Sequence, residues 1–227
     1  MQRSLPWPPD AVLFDNDGTV VDTQELILAS FRHATRVVLG RQLPDAAIMD
    51  SSGIPLDRQM LDIADTPAQA AELSRVYREY NTTVHDDMIA AFDGVSELLE
   101  WLDERGVPLA VVTSKLRGVC AHGLETVGLA SRFRFVIGSD DCPAHKPAPD
   151  PLLLACERLG ARPERTLYVG DSPFDMQAAR AAGMMGVAAL WGMFTRDQLA
   201  AASQPDAWAA RPSDVLALMK TAGGQEG

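Results

Sequence analysis

The chain has 227 residues, of which 47% are hydrophobic and 22% are charged, which is enough for one sizeable domain or for a domain with a smaller insert. Its formal net charge is −11, and an acidic surface repels phosphate backbones, so we expect no nucleic-acid partner. The N-terminal segment lacks the apolar region of a secretory signal, and the longest apolar stretch, 183–194, is too short and too glycine-rich to span a bilayer. These features predict a cytoplasmic protein without a membrane association.

Short apolar segments of the kind that form buried strands in a parallel sheet recur along the chain. The predicted strands are 11–14, 108–113, 134–138, 166–170, 186–190 and a last, short one at 206–210. Between the first and second of them no strong strand pattern occurs. There, 23–39 and 66–84 are predicted as helices, joined by a Gly/Pro segment around 51–56.

Helical segments separate the later strands. The segment 95–102 places four apolar residues on one helical stripe, with Asp93 as its candidate N-cap and Gly106 as its end. Asp150 and Ser172, each followed by proline, begin two further helices. This alternation predicts a doubly wound, Rossmann-like α/β fold with a parallel sheet. The helices between the first two strands predict an insert, which divides the chain into a core of 1–21 and 92–227 and a helical cap of 22–91.

Polar residues follow the predicted strands at the edge where open parallel sheets bind their ligands. They are Asp15 and Asp17 after the first strand, Thr113, Ser114 and Lys115 after the second, Lys146 in a loop after the third, and Asp171 with Asp175 after the fourth.

These groups are suited to phosphoryl transfer. Carboxylates form a hard oxygen site, which suits Mg²⁺. The metal offsets the repulsion between a carboxylate nucleophile and an anionic phosphate, while a lysine and a hydroxyl can hold the oxygens of a transferring phosphoryl group. A carboxylate is ionised at neutral pH and needs no base to act as a nucleophile. The strand ends therefore predict a Mg²⁺-dependent phosphoryl-transfer site.

Four motifs in this order resemble those of the haloacid dehalogenase-like (HAD) hydrolases. They are FDNDGTVVD at 14–22, VVTSK with Thr113, KPAP with Lys146, and VGDSPFDM with Asp171 and Asp175. The resemblance covers nearly the whole chain. The insert between the first two motifs is similar to the helical cap of subfamily I of these hydrolases.

The resemblance implies a role for each aspartate of the first motif. Asp15 would attack phosphorus and become an aspartyl phosphate, and Asp17 would protonate the leaving oxygen and then activate water. Asp15, the backbone carbonyl of Asp17, and Asp171 would hold Mg²⁺. A carboxylic acid at Asp17 suits a phosphate ester rather than a dehalogenase substrate.

The resemblance also implies supporting roles. Thr113 and Lys146 would bind the phosphoryl group, and Asp175 would support the metal site or orient Lys146. Asn16, at a position that is usually apolar in this motif, is expected to have only a local packing effect.

The motifs at 113–115, 146–150 and 169–176 are most similar to those of the phosphoglycolate phosphatase and pyrophosphatase group. The segment SSGIPLDR at 51–58 resembles the cap loop that reaches the active site in this group. Gly53 would permit a close approach, and Arg58 would meet a second anionic group of the substrate. Ser114 and Lys115 are further candidate substrate contacts.

We therefore expect a phosphoric monoester hydrolase for a small phosphorylated metabolite, with phosphoglycolate as the leading substrate. An inorganic pyrophosphatase, a phosphomutase of the β-phosphoglucomutase type and a non-catalytic sensor of a phosphorylated ligand are the alternatives. No obligate partner is indicated, which favours a monomer or a weak dimer.

The other residue types that commonly bind metals show no pattern. The three cysteines lack a CxxC spacing, which argues against a disulfide framework or a zinc site. The histidines at 33, 85, 122 and 145 show no ligand spacing either.

Overall fold

A computed structural model of the chain describes residues 7–223. Its strands are β1 (Ala11–Phe14), β2 (Val21–Asp22), β3 (Ala90–Ala91), β4 (Leu109–Val112), β5 (Val136–Ile137), β6 (Thr166–Gly170), β7 (Met185–Ala189) and β8 (Ala207–Ala209). Six of them form one sheet in the order β5-β4-β1-β6-β7-β8, and every neighbouring pair in it is parallel. All six predicted strands are therefore present, with ends that differ by one or two residues from most of the predicted ones.

Helices cover both faces of this sheet. They are α5 (Val95–Asp103), α6 (Arg117–Thr126), α7 (Asp150–Leu159), α8 (Pro173–Ala181), α9 (Arg196–Ala202) and α10 (Pro212–Gly223). Val12 and Phe14 of β1 pack in one hydrophobic cluster with side chains of α5, α6 and α10, whereas Leu13 packs in another with side chains of α7 and α8. Successive residues of a strand face opposite sides, so β1 is buried on both. The doubly wound α/β fold is confirmed.

Two helix starts differ from the prediction. The N-cap of α5 is Gly94, with φ 85°, and not Asp93. Asp150 lies in the first turn of α7, and Pro149 is the N-cap. Ser172 does cap α8, because its hydroxyl accepts from the N–H of Asp175 and the Asp175 carboxylate accepts from the N–H of Ser172.

Four helices lie between β2 and β3: α1 (Gln24–Leu39), α2 (Asp45–Asp50), α3 (Leu56–Ile63) and α4 (Pro67–Val84). They share a hydrophobic cluster of their own, centred on residues such as Phe31, Met60 and Leu73. The antiparallel pair β2 and β3 brings the two ends of this segment together. Neither β2 nor β3 was predicted from the sequence.

Among the described helices, none combines the length and the apolar character that a membrane-spanning segment requires.

Candidate active site

A sharp turn after β1 positions the two aspartates of the first motif. The N–H of Asp15 donates to the carbonyl of Val169 in β6, and three successive N–H groups, those of residues 19–21, donate to the carbonyl of Asn16. Gly18 has φ 79°, and a Cβ at this position would overlap the carboxylate of Asp171. The turn therefore depends on glycine both for its backbone conformation and for the close approach of β1 to the end of β6.

A buried lysine joins the first and fourth motifs. The side chain of Lys146 is only 1% exposed, and its Nζ lies 2.9 Å from Asp15 Oδ1 and 2.6 Å from Asp175 Oδ1. The same Nζ donates to the hydroxyl of Tyr168 at 2.9 Å. Burial by itself lowers the pKa of Lys146, but the carboxylates of Asp15 and Asp175 outweigh it, so the pKa of Lys146 lies above its ordinary value. The lysine is therefore held in its charged form against Asp15.

Asp175 already has a full set of hydrogen-bond donors. Its Oδ1 accepts from Lys146 and from Tyr168, whose hydroxyl lies 3.0 Å away. Its Oδ2 accepts from the N–H of Ser172 at 2.9 Å and from the Ser172 hydroxyl at 2.6 Å. A carboxylate with both oxygens occupied in this way is suited to orienting Lys146 rather than to binding a metal.

Asp15 and Asp171 are the carboxylates that could hold a cation. One ligand oxygen each of Asp15, Asp171 and Asp175 lies within 4.8 Å of the others. Asp15 Oδ1 is buried, and no donor meets it with hydrogen-bond geometry, although Lys146 is close. Asp171 accepts from the N–H of Met193 at 2.7 Å and from the hydroxyl of Thr19 at 3.3 Å, which fixes its orientation.

Burial and mutual repulsion raise the pKa of both carboxyls. Burial, with smaller contributions from the carboxylates of Asp175 and Asp17, raises the pKa of Asp15 to about 7 in spite of Lys146. Burial, with the charges of Asp175 and Asp15, likewise raises the pKa of Asp171 well above its ordinary value. Hard carboxylate oxygens that crowd together without enough positive charge fit a divalent cation such as Mg²⁺.

Asp17 is more exposed than Asp15, whose side chain is 5% exposed. Its side chain is 19% exposed, accepts from the hydroxyl of Thr23 at 2.7 Å, and lies 2.6 Å from Nζ of Lys115. Lys115, a candidate substrate contact in the sequence, is therefore paired with Asp17.

The second motif and the loop at 51–55 meet beside these carboxylates. Thr113 follows β4, and its N–H donates to the carbonyl of Ile137. The hydroxyl of Ser114 donates to the carbonyl of Gly53 at 2.7 Å. Gly53 has φ 98°, and a Cβ there would lie 2.9 Å from the hydroxyl oxygen of Ser172. The loop approaches the core closely enough that only glycine fits at this position.

A cavity of about 280 Å³ opens in front of these groups. The predicted site residues that line it are Asp15, Asp17, Gly53, Thr113, Ser114, Lys115 and Asp171. Lys146 and Asp175 lie behind Asp15, buried at 3% and 0% exposure.

Arg58 does not reach this cavity, contrary to the expectation from the sequence. Its side chain is 69% exposed and lies 3.5 Å from Asp62 Oδ1, one turn further along α3. The buried side of α3 is formed by Gln59 and Met60, and the helix directs Arg58 away from the cavity that its neighbour Asp57 lines.

Four residues in or beside the site were not predicted as site residues from the sequence. Tyr168 lies in the apolar run of β6 and was predicted only as part of that strand. Arg78 of α4 pairs with Asp57 of α3, with an Arg78 Nη2 to Asp57 Oδ1 distance of 2.7 Å, although they are 21 residues apart. Thr19 could have been found, since it is part of the DGT sequence that defines the turn.

Two of the histidines also come together, although their spacing predicted no shared site. Asp86 Oδ1 lies 2.7 Å from Nδ1 of His85 and 2.9 Å from Nε2 of His122. His85 follows α4 and His122 lies on α6, so only the tertiary structure brings them to one carboxylate.

The comparison with known families agrees with this geometry. Residues 12–189 match the family model described as haloacid dehalogenase-like hydrolase. The chain belongs to the haloacid dehalogenase-like hydrolases.

Relatives within this hydrolase family cover most of the chain. Pyrophosphatase PpaX of Oceanobacillus iheyensis is 35% identical over 182 residues, which are 80% of this chain and 84% of that protein. Pyrophosphatase PpaX of Bacillus velezensis is 34% identical over 206 residues, 91% of this chain and 94% of the relative.

Solved structures of haloacid dehalogenase-like hydrolases share the fold. The crystal structure of a predicted phosphoglycolate phosphatase from Haemophilus somnus has a TM-score of 0.84 at 26% identity, and the match covers 92% of this chain and 97% of that one. A haloacid dehalogenase-like hydrolase from Streptococcus pneumoniae has a TM-score of 0.80 at 30% identity, over 91% and 96% of the two chains.

Proposed function

We propose that this hydrolase is a Mg²⁺-dependent phosphatase that cleaves a small phosphomonoester through an aspartyl phosphate on Asp15. One observation carries the proposal: the buried Lys146 lies 2.9 Å from Oδ1 of Asp15, and Asp15 lines a cavity together with Asp17 and Asp171. A nucleophile, an acid–base group and a buried cation thus meet at one place, as phosphoryl transfer requires.

In the first step, an oxygen of the Asp15 carboxylate attacks phosphorus while the bond between phosphorus and the leaving oxygen breaks. Asp17 gives its proton to that leaving oxygen, and the alcohol departs. In the second step, Asp17 takes a proton from water as the water oxygen attacks phosphorus. Inorganic phosphate leaves, and the Asp15 carboxylate is restored.

The neighbouring residues hold this arrangement in place. Lys146 and the hydroxyl of Thr113 would bind the oxygens of the transferring group, and Asp175 keeps Lys146 oriented toward Asp15. Asp15, Asp171 and the backbone carbonyl of Asp17 would hold the Mg²⁺. The metal would supply the positive charge that lets an anionic phosphate approach these carboxylates.

The helices of the insert would form the cap of this active site. We propose that residues 22–91 are the cap domain and that 1–21 and 92–227 are the core domain. Two features support this division. Helices α1 to α4 share their own hydrophobic cluster, and the insert contributes one wall of the cavity through Gly53, Phe31 and Tyr77.

Two candidate substrates follow from similarity alone. Phosphoglycolate is the substrate that the sequence motifs favour, and pyrophosphate is favoured by the name of the PpaX relatives. A phosphomutase with this site would form an isomer in place of inorganic phosphate, and measuring both products separates the two reactions.

Trapping the covalent intermediate tests the proposed chemistry. Protein quenched in acid during turnover with Mg²⁺ should carry a phosphate that hydroxylamine releases and that maps to the peptide containing Asp15. The same treatment of the Asp15→Asn variant is the control and should leave that peptide unmodified. A labile phosphate at another residue, or none in the wild type under conditions of steady turnover, would contradict the mechanism.

A further inference from the structure

We infer that the part of the cavity beyond the phosphate site binds an uncharged, largely apolar alcohol, so that the substrates are phosphomonoesters of such alcohols rather than phosphoglycolate or pyrophosphate. The inference rests on the proposed phosphatase function and names its substrate class. Three observations support it: the basic side chains of the cavity are paired with carboxylates, part of the cavity lining is apolar, and two of these apolar side chains are exposed.

The charged groups in or directly behind the cavity are predominantly acidic. The five carboxylates are those of Asp15, Asp17, Asp57, Asp171 and Asp175. The three basic side chains are those of Arg78, Lys115 and Lys146. With all eight groups in their charged forms the formal charge is −2, which a single divalent cation would neutralise; the proton that Asp17 gives to the leaving oxygen comes in addition to this count.

Each of these cations already has an acidic partner. Lys115 Nζ lies 2.6 Å from Asp17, Arg78 lies 2.7 Å from Asp57, and Lys146 lies between Asp15 and Asp175. Arg58, the cation that would have met a second anionic group, points to Asp62 outside the cavity.

A second negative charge on the substrate would therefore lack a counter-ion. The phosphoryl group can be met by Mg²⁺ and Lys146, but the carboxylate of phosphoglycolate or the second phosphate of pyrophosphate would have to break an existing ion pair. Transfer of an ion from water to a site that lacks a counter-charge is costly. Among the described residues that line the cavity, no further basic side chain offers this compensation.

Beside the polar side chains that α4 contributes to the cavity, such as Arg78 and Asn81, the lining includes a group of six apolar side chains. Helices α1 and α3, the loop before α3, and the start of α6 contribute to it through Ile27, Phe31, Ile54, Leu56, Leu116 and Val119. Burial of the carbon atoms of a substrate against these side chains is favourable, whereas the carboxylate of phosphoglycolate or the second phosphate of pyrophosphate would leave them in contact with water.

Two of these side chains lie exposed although they are large and apolar. Leu116 is 38% exposed and Val119 is 36% exposed, and both are near the N-terminus of α6 in the core, opposite the cap. A bound alcohol with an apolar part would cover both, and removal of their surface from water would favour its binding.

Four phosphate compounds test the inference on the intact protein with Mg²⁺: n-butyl phosphate, methyl phosphate, phosphoglycolate and pyrophosphate. The release of inorganic phosphate gives kcat/KM for each. We expect n-butyl phosphate to exceed both methyl phosphate and phosphoglycolate by about tenfold or more, because its three additional carbons would lie against the apolar side chains of the lining. Butyl and methyl phosphate share the same reacting group, so their ratio isolates the contribution of these side chains.

A variant with a new cation reverses the expected preference. Leu116→Arg places a positive charge on the wall at a position that is already exposed, so the fold should tolerate it. The ratio of kcat/KM for phosphoglycolate to that for n-butyl phosphate should rise about tenfold. Leu153→Arg is the matched control: Leu153 is 40% exposed and lies on α7 outside the cavity lining, so the same change of charge there should leave the ratio unchanged.

The outcomes separate the inference from the proposed function. Turnover that depends on Asp15 but favours phosphoglycolate or pyrophosphate over n-butyl phosphate would overturn the inference and leave the phosphatase mechanism intact. It would indicate that Lys115 leaves Asp17 to meet the second anion. An absence of Mg²⁺-dependent hydrolysis with all four compounds would overturn the proposed function and the inference together.

Discussion

Two regions of the cavity, which we call its floor and its wall, differ in composition. The floor is formed by the buried carboxyls of Asp15 and Asp171, with Lys146 behind Asp15. Lys146 pairs with Asp15 and Asp175, and hydrogen bonds from the N–H of Met193 and the hydroxyl of Thr19 orient Asp171. The wall is formed by residues 22–91 and the start of α6, and it combines apolar side chains with polar ones and with the ion pair of Arg78 and Asp57. The difference implies that substitutions at the floor change the rate with every substrate, whereas substitutions at the wall change which substrate is preferred.

The largest expected effect is at the nucleophile. Asp15→Asn removes the attacking carboxylate while it keeps the size of the side chain, so kcat should fall by at least about a thousandfold with every phosphate ester. Steady-state phosphate release with Mg²⁺ measures this. Asp22→Asn is the control, since Asp22 is exposed and its carboxylate accepts only from the N–H of Gln24 at 3.2 Å. Substantial activity in Asp15→Asn would contradict the expectation that substitutions at the floor lower the rate with every substrate.

Loss of the buried lysine should have the next largest effect. Lys146→Ala removes the cation that lies between Asp15 and Asp175, so kcat/KM should fall by about a hundredfold or more. The variant also leaves two buried carboxylates without their partner, which should lower the free energy of unfolding by about 3–5 kcal/mol. Urea unfolding and kinetics at a temperature where the variant is folded give the two quantities.

Lys220→Ala serves as the matched control for this lysine, because Lys220 is exposed on α10. It should leave kcat/KM unchanged, and because the Nζ of Lys220 lies 5.8 Å from the centroid of the Trp101 ring, it should lower the free energy of unfolding by no more than about 1 kcal/mol. An unchanged kcat/KM in Lys146→Ala would show that Lys146 does not contact the phosphoryl group.

A glycine substitution tests whether the cap loop must touch the core. Gly53→Ala places a Cβ 2.9 Å from the hydroxyl oxygen of Ser172 and 3.0 Å from a ring carbon of Phe174, so the loop should move away and kcat/KM should fall about tenfold. Gly40→Ala is the control: Gly40 also has a positive φ, 66°, but no atom lies within 4 Å of its added Cβ. An equal decrease of kcat/KM in both variants would show that backbone strain alone, and not the contact with the core, causes the effect.

The smallest expected effect is a pH-dependent change in thermal stability without metal. Burial raises the pKa of Asp15 to about 7. The protonated carboxyl therefore contributes stability to the fold that is fully present below the pKa of the unfolded carboxyl and is lost as the pH rises through about 7. The Asp15→Asn variant has no carboxyl at this position and therefore does not lose stability in this pH range. In a chelator its Tm should therefore exceed the wild-type Tm by about 5 °C at pH 8 and by less at pH 5.

Added Mg²⁺ should close this gap at pH 8 by stabilising the wild type, because the ion binds the ionised carboxylates. Thermal melts at the two pH values, with and without Mg²⁺, measure the four quantities. A gap that is larger at pH 5 than at pH 8 would contradict the burial of an uncompensated charge at Asp15.

Sequence reasoning located the floor of the cavity far better than its wall. Asp15, Thr113 and Asp171 directly follow apolar strands, and parallel strands place their carboxyl ends at one edge of a sheet. The structure accordingly brings these residues together. The wall has no comparable rule, because a side chain on a helix reaches the cavity only if the packing of that helix turns it there. Arg58 and Asp57 are neighbours in sequence, yet only Asp57 lines the cavity.

The sequence by itself determined the alternation of strands and helices, the helical insert and the acidic edge of the sheet, because these depend on local apolar patterns and on chain order. Only the tertiary structure decided which charges are paired. The contact of Lys115 with Asp17 joins residues 98 positions apart, and that of Arg78 with Asp57 joins two helices. Such pairs depend on side-chain orientations that long-range packing sets, and those orientations leave no periodic trace in the sequence.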